Sequence, residues 1–148
     1  MKLSLRLFLL LPFILFIIML NFNYFNLLKI PSIIPSNNII TILLIISYLL
    51  KYISIFKFYK EYDVKTTKDY NKYLLVNIIF NFISVFSLTI INNIFLTFSS
   101  ITICFLSNLF LYYETKSYDI KTSKFLLFDL FFSLICSIST LIIYFMNL

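Results

Sequence analysis

The chain has 148 residues, of which 61% are hydrophobic and only 12% charged, with a formal net charge of +6. An ordinary soluble domain is about half apolar and about one quarter charged, so that class is excluded. The absence of histidine removes histidine acid–base chemistry and histidine metal ligation, and the absence of glycine removes the usual phosphate-cradling loop.

Ala, Gln and Trp are missing as well, while Ile, Phe, Asn, Lys and Tyr abound. That split follows AT-rich against GC-rich codons, so an absent residue type reflects mutation pressure as well as function. The basic residues sit beside apolar runs. The positive-inside rule accounts for them more simply than nucleic-acid binding does.

Apolar runs of about twenty residues recur along the chain, which reads as an all-α, polytopic membrane protein. Five spans are expected. The first, about residues 7–22, follows Lys2 and Arg6 and contains Pro12; "NFNYFN" after it offers no small-residue cleavage site, so it is read as a span. The loop "NLLKIPSIIPSNN" leads to a second span, about 38–58. The polar stretch "YKEYDVKTTKDYNK" precedes a third, about 73–91. Asn92 and Asn93 make a tight turn into a fourth, about 94–113. The charged loop "ETKSYDIKTSK" precedes a fifth, about 125–146. No linker or repeat divides residues 1–148, which read as a single transmembrane domain.

With five spans, Lys2, Arg6, Lys60, Lys65, Lys68, Lys72, Lys116, Lys121 and Lys124 share one side, and Lys29 stands alone on the other. This predicts the N-terminus in and the C-terminus out, in an integral membrane expected to be a bacterial inner membrane.

Helical spacing sorts the polar residues into stripes: Ser47, Lys51 and Ser54 with Tyr48 beside them; Asn77, Asn81 and Ser84; Thr97, Ser100, Cys104 and Ser107; Asp129, Ser133, Ser137, Thr140 and Tyr144. Lipid offers these groups no partners, so they should face the bundle interior. Two readings stay open: small-residue helix contacts, and the wall of a polar cavity. Cys104 and Cys136 lack ligand-like spacing and read as small packing residues.

Lys51 and Asp129 are charges inside spans. They are read as interfacial groups, as an intramembrane ion pair, or as a proton or ligand site. The remaining acidic residues are interleaved with lysines in loops and form no metal-like cluster. No catalytic or metal site is expected, and the chain does not read as an enzyme.

The loop after the first span carries a more specific signal. Pro31 holds its predecessor extended, and Pro35 precedes a helix entry with Ser36 and Asn37 as caps, which makes the loop stiff. From Tyr24, "YFNLLKIPSIIPSN" resembles the first loop of the translocator protein family, also called tryptophan-rich sensory proteins or peripheral-type benzodiazepine receptors. Tyr24 and Phe25 stand at its aromatic pair, and Leu28, Lys29, Pro31 and Pro35 match its Leu-Lys-Lys-Pro-x-x-x-Pro-Pro pattern. Tyr48 falls at the tyrosine of the family's second helix and Asn81 at the asparagine of its third. Leu126 and Leu127 match its fifth. Every signature tryptophan is replaced: Leu44, Ser84 and Ser133 occupy those positions. Asp129 replaces the fifth-helix proline, and Ser137 an alanine.

The resemblance implies a five-helix bundle, often a homodimer. It implies a porphyrin, haem-like tetrapyrrole or sterol-like ligand in a cavity under the first loop, and no obligatory cofactor. On that reading Pro31 and Pro35 stiffen a lid, and Leu44, Tyr48, Asn81, Ser84, Ser133 and Ser137 line the pocket. It also makes the second and fifth helices neighbours, which would let Lys51 and Asp129 meet. The expected partners are the lipid bilayer and a small hydrophobic ligand. The alternatives are a small transporter or channel subunit, and a ligand-free structural membrane protein.

Overall fold

The computed structural model describes residues 37–62 and 68–148. The expected first span, and the loop with Pro31 and Pro35, lie outside the described residues. Those residues form four α-helices: α1 (Asn37–Glu61), α2 (Lys68–Phe86), α3 (Ile94–Tyr118) and α4 (Ile120–Met146). A wide π-helical turn, Ser87–Ile91, extends α2.

Three of the four, α1, α3 and α4, are long and apolar enough to cross a membrane. The expected count of five spans is therefore not reached among the described residues. The third expected span differs for a physical reason. Its helix begins earlier, at a polar turn holding Asp69, Asn71 and Lys72, and keeps Asn77 and Asn81 in its middle, which lowers its hydropathy.

The helix ends follow from side-chain chemistry. At the first tight turn Asn92 takes the left-handed conformation (φ 53°), which asparagine tolerates better than a β-branched residue does. Asn93 then caps α3 by accepting the Leu96 N–H at 3.0 Å. The expected loop over residues 114–124 is mostly helix. α3 runs on to Tyr118, α4 starts at Ile120, and only Asp119 separates them. Glu and Lys are good helix formers, so charge here marks the end of the apolar segment and not the end of the helix. Asp119 caps α4, accepting the N–H groups of Lys121 (2.8 Å) and Thr122 (3.2 Å).

α3 packs on both α2 and α4, and α1 packs chiefly on α4. α1 and α2 make little backbone contact and are bridged by long side chains, with Tyr48 reaching Asn81 and Tyr59 reaching Asn71. The bundle is apolar outside and polar within. Ile42, Leu49, Leu75, Phe131 and Ile135 are exposed, while buried positions are more often polar than apolar. Water would reverse that distribution; a hydrocarbon solvent produces it, since lipid satisfies no hydrogen bonds.

The apolar part of the core is concentrated at the end nearest Asp119. Ile55, Phe58, Tyr70, Leu74, Ile78, Leu111 and Leu126 form one buried cluster drawn from all four helices. Phe58 stacks on Tyr70 with ring centroids 4.1 Å apart and meets Tyr118 edge-on at 5.6 Å. This cluster closes the bundle below the polar region.

Candidate functional site

One turn above the aromatic cluster, the inward positions of α1 become polar. Ser47, Lys51 and Ser54 follow spacings of four and three and are all buried. Lys51 is 3% exposed, too deep to reach water along its stem, so its ammonium has to be satisfied inside. It hydrogen-bonds the side-chain oxygens of Asn77 on α2 and, at 2.8 Å, Asn108 on α3. Its Nζ also lies 3.0 Å from Oδ2 of Asp129 on α4, which is itself 4% exposed. One ammonium thus ties α1 to the other three helices.

The second layer satisfies these partners in turn. Ser47 donates to Asp129 Oδ1 at 2.5 Å. The Asn77 amide donates to Ser107 Oγ (2.7 Å), to Asn108 Oδ1 (2.8 Å) and to the Cys104 carbonyl (3.1 Å). Asn81 donates to the Asn77 carbonyl at 2.7 Å and accepts the Tyr48 hydroxyl at 2.9 Å. Such a network is tolerable in a low-dielectric interior only when nearly every member has a partner. One atom does not: Asp129 Oδ2 accepts no hydrogen bond, and its contact with Lys51 is an ion pair outside hydrogen-bond geometry.

Beside this network lies a cavity of about 90 Å³. The structure brings Leu44, Tyr48, Asn81, Ser84 and Ser133 onto its wall, together with Asp129, Asn108, Cys104 and Cys136. Ser137 is not on that wall. Its hydroxyl lies 2.8 Å from Thr102 Oγ1, so it serves the α3–α4 contact. Helical spacing gives a shared face of α4, and Ser133 and Ser137 lie four residues apart on that face. The neighbour met at each level is different: the cavity at Ser133, α3 at Ser137. Pro31 and Pro35 lie outside the described residues.

Asn108 was not singled out in the sequence. It follows Cys104 by four residues and extends the inward stripe of α3, so the signal was present beside Ser107. The two cysteines are free thiols. No group of three or more metal-ligating side chains occurs among the described residues.

No family model matches the chain, and no curated protein matches it. The site has to be read from its own geometry.

The one carboxylate and the one ammonium hold each other, and the Ser47 hydroxyl donates to the carboxylate. The wall combines apolar Ile40, Leu44, Val85, Ile101 and Phe132 with a few convergent polar groups, the usual make-up of a small-molecule site.

Proposed function

We propose that this chain is a translocator-like integral membrane protein that binds a small hydrophobic ligand in its helix-bundle pocket, in a sensory or transport-related role, and is not an enzyme. The observation that carries this reading is a convergence. Leu44, Tyr48, Asn81, Ser84 and Ser133, five positions that the family resemblance assigns to a pocket, come from three different helices and line one cavity. The contact between α1 and α4 matches the neighbour relation of the second and fifth helices in that fold.

The finer architecture belongs to the same reading: five spans, N-terminus in, C-terminus out, in a bacterial inner membrane. A channel would need a polar route from face to face, and the Phe58–Tyr70 cluster blocks that route at the Asp119 end. The cavity disfavours a fully packed, ligand-free bundle.

A cavity of about 90 Å³ is smaller than the ~300–1,000 Å³ of typical ligand pockets. The ligand body therefore enters by parting α1 from its neighbours, or extends beyond the cavity between helices. Titration of the purified protein with a porphyrin, followed by ligand absorbance, and with a fluorescent sterol tests the reading. Saturable binding of either at micromolar concentration, weakened by Tyr48→Ala or Asn81→Leu, is the expected result. No saturable binding of either overturns the function.

A further inference from the structure

α1 and α4 pack antiparallel, with Ser47 meeting Asp129 and Ser54 meeting Thr122. Ser54 donates to the Thr122 carbonyl at 3.2 Å, which sets these two residues level. Lys57 lies three residues past Ser54 toward the lysine end, and Phe125 three past Thr122 toward the apolar middle. At ~1.5 Å per residue their Cα atoms stand about 9 Å apart along the bundle. Yet the Lys57 ammonium lies over the Phe125 ring, 4.6 Å from its centroid. The two meet because each side chain leans toward the N-terminus of its own helix, Lys57 toward the middle and Phe125 toward the end. A snorkelling lysine extends the other way, to water. Lys57 instead keeps its charge at the border of the hydrocarbon.

Two more lysines flank the same ring. Lys121 and Lys124 precede Phe125 by four residues and by one, and both are exposed, as Lys57 is. None of the three has a carboxylate within ion-pair distance among the described residues, where the ion pairs are Lys51–Asp129 and Lys72–Asp69. Glu61 follows Lys57 by four residues without pairing to it. Asp119 spends its carboxyl on the α4 cap, accepting the N–H groups of Lys121 and Thr122 and the Thr122 hydroxyl. Toward the middle the seam turns apolar: Ile53 stands one turn before Lys57 and is exposed, and Phe128 one turn after Phe125 and half-buried. A cation at the hydrocarbon border calls for an anion that carries its own apolar tail, which a phospholipid has and free phosphate lacks. A choline head would add a fourth cation to three, so the seam selects a head of net negative charge. We propose that the α1–α4 seam holds one anionic phospholipid, its phosphate on Lys57 and Lys121 with Lys124 alongside, and its acyl chains against Ile53 and Phe128. The site stands on the outer surface, apart from the cavity, and does not rest on the pocket reading.

The full chain in detergent micelles is titrated with phosphatidylglycerol and, separately, with phosphatidylcholine of the same acyl chains, and bound lipid is counted by native mass spectrometry. One phosphatidylglycerol is expected to be retained, about tenfold more tightly than phosphatidylcholine, in line with what lysines contribute at an anionic headgroup. The preference should vanish in Lys57→Gln/Lys121→Gln. It should survive in Lys72→Gln/Lys116→Gln, which removes the same charge from α2 and α3 at the same end of the bundle. All four lysines are exposed, so these changes leave the fold intact. Millimolar inorganic phosphate should not displace the lipid. Equal retention of the two lipids overturns the proposal. Equal loss in the two double variants would mean a diffuse positive surface and no seam site. Displacement by inorganic phosphate would mean a site for the free anion. Either of these results overturns it as well.

Discussion

Lys51 and Asp129 each bring a charge into a part of the bundle where neither meets water, and each is tolerable because of the other. Their attraction offsets desolvation only with supporting hydrogen bonds, which Asn77, Asn108 and Ser47 supply. Removing one partner strands the other, so Lys51→Met or Asp129→Leu alone should lower the unfolding free energy by about 3–5 kcal/mol. The double variant should lose far less. A thermodynamic cycle from reversible unfolding in detergent measures the coupling. Single effects that simply add in the double variant would show that the two charges do not stabilise each other. The two charges were conspicuous in the sequence because each stands in an apolar run, but their pairing was only one of three readings left open. Their amide partners were less conspicuous: Asn77 stood out only as part of a stripe, and Asn108 not at all. The need for two amide oxygens around one ammonium appears only when α2 and α3 come together. Ser137 shows the same limit from the other side, since one helix's periodicity defines a face but not the neighbour that each turn of it meets.

At the scale of elements, the sequence located the helices well and some of their ends poorly. The four described helices fall on the four expected spans after the first. The charges from Glu114 to Lys124 read as a loop, yet they continue two helices around a single residue. Hydropathy tracks the hydrocarbon boundary, whereas a helix stops where its capping chemistry lies. Asp119 is that chemistry. The Thr122 side chain, then the Lys121 N–H, hold its carboxyl below the ordinary value of 3.8. A lowered folded-state value means that the cap stabilises fully above the unfolded pKa and fades as pH falls through the folded one. Asp119→Ala should therefore lower the Tm at neutral pH, and the gap between variant and wild type should close as the solution is acidified below 3.8. Thermal unfolding across that range checks it. A gap constant with pH would assign the effect to something other than the carboxylate.

For the whole molecule, the distribution of charge along the bundle carries the argument that composition began. Lys57, Lys60, Lys72, Lys116, Lys121 and Lys124 are exposed and gather at the end where α1 meets α2 and α3 meets α4. Lys57 additionally lies over the Phe125 ring, 4.6 Å from its centroid. The opposite turn, at Asn92 and Asn93, carries no charged residue among those described. In the proposed orientation the lysine end is cytoplasmic, as the positive-inside rule predicts. In that orientation the cavity, which lies on the Asn93 side of the aromatic cluster, faces the outer half of the bilayer. Both consequences depend on one orientation, which labelling can read. In a background with Cys104→Ser and Cys136→Ser, Asn93→Cys should react with a membrane-impermeant maleimide in intact cells. Lys121→Cys should react only after permeabilisation. Reversed labelling would put the lysines outside and the cavity mouth toward the cytoplasm, contradicting the outward-facing pocket. Labelling of both sites in intact cells would contradict a membrane-crossing α3, because that helix alone separates Asn93 from the turn at Asp119.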